Sequence, residues 1–306
     1  MSWICPMCST ANDDELLNCM VCDAKREARI PSFGIGIDAD NMSEDLLAEH
    51  LYREGLAALA EGRREEAFGL FLDSAATGYA PAENEVGSCL YSGKGTERDL
   101  VRAFEYFSKA ADKGWVKAQY NLACCYLYGQ GTYKDPTLAA AYLEDAAKQG
   151  HAQAKYLLGT CIYYGRGTKQ DYFEAFALFT EAADAGVAAA QYNTGYCYEN
   201  GIGVKRNFAL AFRYYSLAAS QEHKSAINAM GNCYFFGTGT KKDLVKAASF
   251  YRKAADRGDP SAEYNLGFCY EMGFGVEKDF TAAKKWYRRA ADKSHTNALK
   301  ALTRLV

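Results

Sequence analysis

The sequence predicts an all-α fold of stacked helical repeats, because three columns of small residues recur along the chain every 36 residues. The first column is Gly93, Gly129, Gly165, Gly201, Gly237 and Gly273, and the second lies two residues later, from Gly95 to Gly275. The third column is Gly87, Ala123, Gly159, Gly195, Gly231 and Gly267. A single fixed period of about 20–50 residues is typical of solenoid proteins. The columns define six units without insertions: 82–117, 118–153, 154–189, 190–225, 226–261 and 262–297.

Each unit is predicted to contain two helices. The first helix ends at a G-x-G turn such as Gly165–Gly167, where glycine takes the left-handed conformation that closes a helix. The second helix begins at a column of good N-cap residues: Asp99, Asp135, Asp171, Asn207, Asp243 and Asp279. Inside the second helix, alanines that recur every 36 residues flank a bulky pair such as Tyr106-Phe107. Large side chains beside small ones allow stacked helices to interdigitate.

The repeat pattern, A-x-Y-N-x-G-x-C-Y-x-x-G-x-G-x-x-x-D, resembles the Sel-one-like repeat family, a branch of the tetratricopeptide repeats, over residues 82–306. The resemblance implies a right-handed superhelical α-α solenoid whose first helices line a concave, ligand-binding surface. Residues 44–81 resemble a plainer tetratricopeptide-like first repeat, and 298–306 are predicted to form a C-terminal capping helix that shields the last apolar face.

The N-terminus carries a predicted zinc site. Cys5, Cys8, Cys19 and Cys22 form two C-x2-C pairs, which aim four thiolates at one point. Four protein ligands close a tetrahedral coordination sphere, so one Zn²⁺ ion would be structural and would leave no position for a catalytic water. So short a segment cannot bury enough apolar surface to fold unaided, and metal binding would stabilise it.

Together with Trp3 and Asn12, these cysteines resemble the Ran-binding-protein-type zinc finger over residues 1–26. Members of that family bind single-stranded RNA, ubiquitin or other proteins. RNA-binding members stack a base on the tryptophan, but acidic residues 13–15 follow Asn12 here and would repel phosphate. Single-stranded RNA binding through Trp3 is therefore the weaker alternative.

Ubiquitin is the other alternative ligand of the finger. The positions that resemble the ubiquitin-binding surface of the family are Ser9, Thr10 and Val21. Thr10 stands where ubiquitin-binding members have phenylalanine, so the aromatic contact is lost while a hydroxyl and a small apolar surface remain. Residues 27–43, with glycine and proline and no periodicity, are predicted to be a linker.

Composition excludes several classes of protein. The chain has 35 basic and 38 acidic residues, and nucleic-acid-binding domains usually show a basic excess. No apolar run reaches the length of about 18 residues that spans a bilayer, and the N-terminus lacks a signal-peptide pattern. We expect no membrane association and a cytoplasmic or nuclear location.

Two further columns are interpreted as structural. One cysteine per unit recurs every 36 residues, and we expect these thiols to be small buried hydrophobes between helices: Cys89, Cys125, Cys161, Cys197, Cys233 and Cys269. His151, His223 and His295 are 72 residues apart and are predicted to be surface turn residues. No set of nucleophile, base and acid falls within one unit, so no enzymatic activity is predicted.

The predicted function is that of an adaptor or scaffold. An aromatic, amide-bearing surface on the first helices would bind a protein or peptide, since tyrosine offers large contact area with a polar end. The zinc finger would be a second protein-binding module. The candidate partner-binding residues are Tyr120, Tyr156, Tyr163, Tyr164, Tyr192, Tyr196, Tyr264, Phe268, Asn121 and Asn193, and Tyr91, Tyr128, Phe235 and Phe236 lie on the same face.

Overall fold

The computed structural model describes residues 43–305, which form 15 α-helices. The predicted finger, including Cys5, Cys8, Cys19 and Cys22, lies outside the described residues, as does the predicted linker up to residue 42. Within the described part, the helices divide between two compact units, residues 43–170 and residues 171–305.

The first unit contains seven helices. They are α1 (Glu44–Ala60), α2 (Arg64–Ala76), α3 (Ala80–Ser92), α4 (Leu100–Asp112), α5 (Val116–Tyr128), α6 (Pro136–Lys148) and α7 (Ala152–Tyr164). Each helix packs on the next one in the chain. The predicted pairing of two helices in each repeat is confirmed here.

The second unit contains eight helices. They are α8 (Tyr172–Asp184), α9 (Ala188–Asn200), α10 (Phe208–Ser220), α11 (Lys224–Phe236), α12 (Leu244–Asp256), α13 (Pro260–Met272), α14 (Phe280–Asp292) and α15 (Thr296–Arg304). Consecutive helices again pack on each other. Helix α15 begins two residues before the predicted start at residue 298, because His295 is its N-cap.

The G-x-G turn serves two purposes at once. Gly165 closes α7 in the left-handed conformation, with φ of 65°, as predicted. Gly167 also has positive φ, and a Cβ atom at that position would collide with the backbone carbonyl of Pro136 at the start of α6. The second glycine therefore lets the turn of one repeat touch the second helix of the repeat before it.

The N-caps of the second helices are as predicted. The Asp99 carboxylate accepts hydrogen bonds from the backbone amides of Val101 and Arg102 at 3.1 and 3.0 Å. A side-chain cap of this kind recurs at all six predicted positions. It satisfies amides at the helix start that have no partner within the helix.

The third column of small residues makes room for a ring in the core. A Cβ atom on Gly231 would lie 2.5 Å from ring carbons of the buried Tyr251, so glycine is required for this close approach of α11 to α12. Gly55 stands in the same relation to Phe71, so the first repeat is built like the others. The one unit with alanine in this column, Ala123, has a leucine, Leu143, at the position of the ring.

Candidate protein-binding surface

Three of the predicted partner-binding tyrosines are stacked on histidines. Tyr120, Tyr192 and Tyr264 stack on His151, His223 and His295, with ring centroids 4.9, 5.2 and 5.0 Å apart. Each histidine begins the first helix of the following repeat. One face of each of these tyrosine rings is therefore covered by its own chain, which leaves less of the ring for a partner than we predicted.

The histidines are helix N-caps, so their interpretation as plain surface turn residues was wrong. The His223 Nδ1 atom accepts a hydrogen bond from the Ala226 amide at 3.3 Å, and the residue is only 6% exposed. Burial, together with the positive charge of neighbouring Lys224, lowers the pKa of the imidazole from 6.5 to about 4. His223 is consequently neutral at physiological pH, as its acceptor role requires.

Tyr156 and Asn121 were also predicted to bind a partner, but both are buried. Tyr156 is 8% exposed, and Asn121 is buried with its side-chain amide donating to Asn84 Oδ1 at 2.9 Å. An equivalent contact joins Asn265 to Asn228 at 3.0 Å. These amides link first helices of successive repeats, and Asn121 cannot reach a peptide without breaking that link. Asn193 is half-buried.

The exposed part of the predicted surface lies in the C-terminal halves of the first helices. Tyr164 is 57% exposed and Tyr196 is 41% exposed, whereas Tyr163 and Phe268 are half-buried. Phe236, named as part of this face but not as a binding residue, is 68% exposed.

Met272 is an exposed apolar residue of this surface that the sequence analysis missed, with 48% of its surface in water. It directly precedes the cap glycine Gly273, as Tyr164 and Phe236 precede theirs. The residue at that position is the last of its helix; it is exposed in four of the six repeats and half-buried at Ser92 and Tyr128. Reading the column before each cap glycine would have found it.

Two glutamates of the first helices form hydrogen bonds with tyrosines of the second helices. The Tyr215 hydroxyl donates to Glu199 at 2.6 Å, and the Tyr287 hydroxyl donates to Glu271 at 2.6 Å. Arg304 also contacts Glu271, at 2.6 Å. These carboxylates therefore have partners within the chain.

The column cysteines are buried, as predicted. Burial raises the pKa of Cys125, Cys197 and Cys269 to about 12, so these groups stay as thiols at neutral pH. In the described residues none of the seven cysteines forms a disulfide. The thiols fill space between helices, and nothing about them suggests nucleophilic chemistry.

Between residues 43 and 305 the structure contains no cluster of three histidine, cysteine, aspartate or glutamate side chains suited to a metal ion. No helix in that range is long and apolar enough to cross a membrane.

The Sel1 repeat model matches six consecutive segments: 80–115, 116–151, 152–187, 188–223, 224–259 and 260–295. The chain belongs to the Sel1 repeat family. Each matched segment begins at the first residue of a first helix, two residues before the units taken from the glycine columns.

Two solved Sel1 repeat structures show the same fold. One is c5321, described as a protective antigen of uropathogenic Escherichia coli with an SLR fold; it is 27% identical, with a TM-score of 0.73. The match covers 87% of this chain and 59% of that protein, so this chain spans well under two thirds of it. The other is a Sel1 repeat protein from Oxalobacter formigenes, 29% identical over 82% of this chain and 97% of that one, also with a TM-score of 0.73. No curated protein matches the sequence.

Sel1 repeat proteins are typically protein–protein interaction scaffolds and are generally non-catalytic. The family thus supports the coarse form of the predicted function.

Proposed function

We propose that this Sel1 repeat protein is a non-enzymatic adaptor that binds protein or peptide segments on exposed aromatic and methionine side chains of its first helices. The observation that carries the proposal is the exposure of these side chains in each unit taken separately: Tyr164 in the first unit, and Tyr196, Phe236 and Met272 in the second. Aromatic residues and methionine are enriched at protein interfaces. Packed helices fix the backbone that carries them, so little backbone entropy is lost when a partner binds.

The N-terminal finger is proposed as a second protein-binding module, stabilised by one structural Zn²⁺. Its four candidate ligands, Cys5, Cys8, Cys19 and Cys22, form an all-thiolate donor set with the spacing of zinc knuckles. Two weak sites on one chain raise overall affinity through effective concentration. The six buried thiols of the repeats support a reducing cytoplasmic or nuclear location, because they serve as packing residues without being paired.

The test is affinity capture from cell lysate followed by mass spectrometry with four baits. They are the full chain, a variant lacking residues 1–30, a Tyr164→Ser/Tyr196→Ser/Phe236→Ser variant, and a control Tyr133→Ser/Phe173→Ser variant. The control removes two rings that are even more exposed but lie outside the proposed surface. Tyr156 and Tyr192 are left unchanged because they pack within the chain.

We expect the triple variant alone to lose the principal partner while its helical circular dichroism is unchanged. Loss on deletion of residues 1–30, with binding by the triple variant intact, would move the principal site to the finger. Retention by every variant would contradict both proposed sites.

A further inference from the structure

Helix α15 exposes residues at register positions, 36 residues apart along the chain, that are covered in the other repeats. Leu299 is 50% exposed, whereas the residues at its register in the six first helices from α3 to α13 are buried, except half-buried Lys155. Lys300 and Thr303 are also exposed, and every residue at their registers in those six helices is buried or half-buried. Within residues 43–305 no helix follows α15.

The helix that covers these registers elsewhere is the second helix of the same repeat. Lys293 on α14 contacts Glu263 at 2.8 Å, and the Tyr287 ring on α14 lies 5.5 Å from the ring of Tyr264. Glu263 and Tyr264 lie 36 residues before the exposed leucine and lysine of α15. A helix is therefore the shape that fits beside α15.

Helix α14 contributes two side chains to the same uncovered space. Arg288 has the register of Leu72, which lines a cleft together with Tyr106 and Lys109 of the following second helix. Lys284 has the register of three phenylalanines that pack edge-on against a tyrosine of the following first helix: Phe104 on Tyr126, Phe176 on Tyr198, and Phe212 on Tyr234. Both registers are thus the ones that contact the next repeat. The α14–α15 surface is our name for five residues: Lys284, Arg288, Leu299, Lys300 and Thr303.

The segment that carries the α14–α15 surface is positively charged. Residues 277–305 contain eight lysines and arginines and three acidic residues. Two glutamates of α13 offset part of this excess through direct contacts: Glu263 with Arg289 and Lys293, and Glu271 with Arg304. Even with both glutamates counted, cations outnumber carboxylates by three.

The acids of this segment do not cancel the three cations of the α14–α15 surface. Asp279 is the N-cap of α14, and its carboxylate accepts hydrogen bonds from two backbone amides. Glu277 lies in the loop before that cap, beside Lys278. Asp292, one helical turn after Arg288, is the one acidic residue within α14 and α15. A helix beside α15 therefore meets three cations and one carboxylate.

Thr303 limits the size of the side chain that can face it. It stands in the column of small residues that receives a side chain from the second helix. Gly231 of this column receives the Tyr251 ring. Ala123 is paired with the smaller Leu143. Since threonine is larger than alanine, a helix beside α15 needs a residue smaller than leucine at that register, such as valine.

We propose that the α14–α15 surface binds an acidic amphipathic helix of a partner protein, which lies where a second helix lies in the other repeats. An apolar side chain of the partner contacts Leu299, and its carboxylates face Lys284, Arg288 and Lys300. The apolar contact supplies binding energy, whereas charge complementarity selects the partner. These residues are not among those of the adaptor surface proposed above, so the two proposals are tested separately.

Fluorescence anisotropy of the full chain with a fluorescein-labelled peptide, DPTLAAAYVEDAAEL, tests the proposal at low ionic strength. The peptide follows the sequence of α6 from its cap Asp135, with valine at the register that faces Thr303 and leucine at the register that faces Leu299. Two peptides serve as comparisons: DPTLAAAYVKKAAKL, which is basic, and DPTLAAASSEDAAES, which lacks the apolar groups that face α15. We expect only the first peptide to bind, and added salt to weaken its binding because surface charges are screened.

Arg288→Glu and Leu299→Ser should each weaken binding of the acidic peptide about tenfold. The matched controls are Lys285→Glu and Leu217→Ser, which should bind it as the parent does. Lys285 has a register that is exposed in every second helix from α4 to α14, and Leu217 is exposed on α10. A specific charge contact further predicts that Arg288→Glu improves binding of the basic peptide. Unchanged thermal unfolding would show that each variant is folded, and Arg288→Glu keeps the test decisive if Leu299→Ser is unstable.

Equal weakening by the controls, failure of the acidic peptide to bind at millimolar concentration, or tighter binding of an oligouridine probe would each overturn the proposal. Binding only after deletion of residues 1–30 would show that the N-terminal segment covers the surface. A dimer of the full chain that Leu299→Ser abolishes would show that a second copy covers it. Either result contradicts a separate partner. The Tyr164→Ser/Tyr196→Ser/Phe236→Ser variant should bind the peptide as the parent does, so a failure here leaves the adaptor surface to its own test.

Discussion

Histidine is the N-cap residue of three helices, α7, α11 and α15. Serine, threonine, aspartate and asparagine are the usual residues at that position. His151, His223 and His295 each combine an Nδ1 acceptor for the third amide of the helix with a ring that stacks on a tyrosine of the preceding repeat. One side chain thus closes a helix and joins two repeats. The cost is sensitivity to protonation, since a protonated Nδ1 cannot accept.

His223 should make stability depend on pH. Its pKa is about 4 in the folded protein and 6.5 as the ordinary value, so the unfolded chain binds more protons between these values. The free energy of unfolding therefore falls as the pH drops from about 6.5 to about 4, by at most about 3 kcal/mol for this group. Below about pH 4 the group makes no further difference.

The check is urea unfolding of the parent and of His223→Asn between about pH 7 and about pH 4.5. Asparagine keeps a capping oxygen and does not titrate in this range. His223→Asn should flatten the pH dependence. An identical slope in the two proteins would mean that His223 is not the titrating group.

Pairing of a small residue with a ring is what sets the distance between the two helices of a repeat. Where the first helix has Gly231, the second has Tyr251, and where it has Ala123, the second has Leu143. The two pairs occupy equivalent positions three repeats apart. The sum of the two side-chain volumes is kept roughly constant, as a close-packed interior requires.

Gly231→Ala should destabilise the protein by about 1–3 kcal/mol, because the added methyl would lie against the buried Tyr251 ring. Adding Tyr251→Leu should recover part of that loss by reproducing the Ala123–Leu143 pair. Thermal and urea unfolding of the single and double variants form a double-mutant cycle.

Gly69→Ala is the matched control for that substitution. Gly69 lies inside α2, and a Cβ atom there would meet nothing within 4 Å. Alanine should stabilise the helix by about 0.5–1 kcal/mol. If both glycine substitutions had the same effect, the ring contact would not be what requires Gly231.

A polar pair fastens the end of the second helix to the first helix in four repeats. Lys113 contacts buried Glu83 at 2.6 Å and Lys293 contacts buried Glu263 at 2.8 Å, whereas the equivalent pairs elsewhere are Gln119–Gln149 and Gln191–Gln221, at 2.9 and 2.8 Å. Each pair is either Glu–Lys, with both side chains charged, or Gln–Gln, with both neutral. A lone buried charge is costly, which explains the matched choice.

Lys113→Gln should therefore cost about 2 kcal/mol, because it leaves the buried Glu83 carboxylate without its cation. Glu83→Gln/Lys113→Gln should lie within about 1 kcal/mol of the parent, since it copies the neutral pair of the next repeat. Urea midpoints of the three proteins give the comparison. A double variant less stable than Lys113→Gln would show that the charges themselves are needed.

At the scale of the whole molecule, the chain joins a repeat array to a cysteine-rich N-terminal segment of a different kind. The array has the family's architecture. The N-terminal segment, proposed to be a finger, has four cysteines with zinc spacing. We expect the two parts to respond separately to chelation, because the cysteines of the array are buried packing residues and the proposed ligands are not among them.

Elemental analysis of the purified full chain should give one zinc per chain, and Cys5→Ser/Cys19→Ser should reduce this to none. Cys125→Ser, at a buried cysteine of the array, is the control and should keep the zinc. Helical circular dichroism should survive chelation, since the array does not depend on the metal. Full zinc content in Cys5→Ser/Cys19→Ser would show that these cysteines are not the ligands.

The 36-residue period, the helix ends and many of the core residues could be predicted from the sequence alone. Left-handed glycines and aspartate caps act within a few residues, so their positions follow from local chemistry alone. Because the units repeat every 36 residues without insertions, helix ends predicted for one unit apply to all six. The buried cysteines followed in the same way, because a small apolar residue at a fixed register position meets the same neighbours in each repeat.

Which aromatic residues face water could not be predicted in this way, because it depends on how neighbouring repeats pack. Tyr156, Tyr192 and Tyr196 all lie on first helices, yet the first is buried, the second is stacked on His223 and the third is exposed. That outcome depends on residues about 30 positions away in the next repeat. Periodicity identifies a helix face, but exposure depends on what the neighbouring helix brings to that face, and this requires the packed structure.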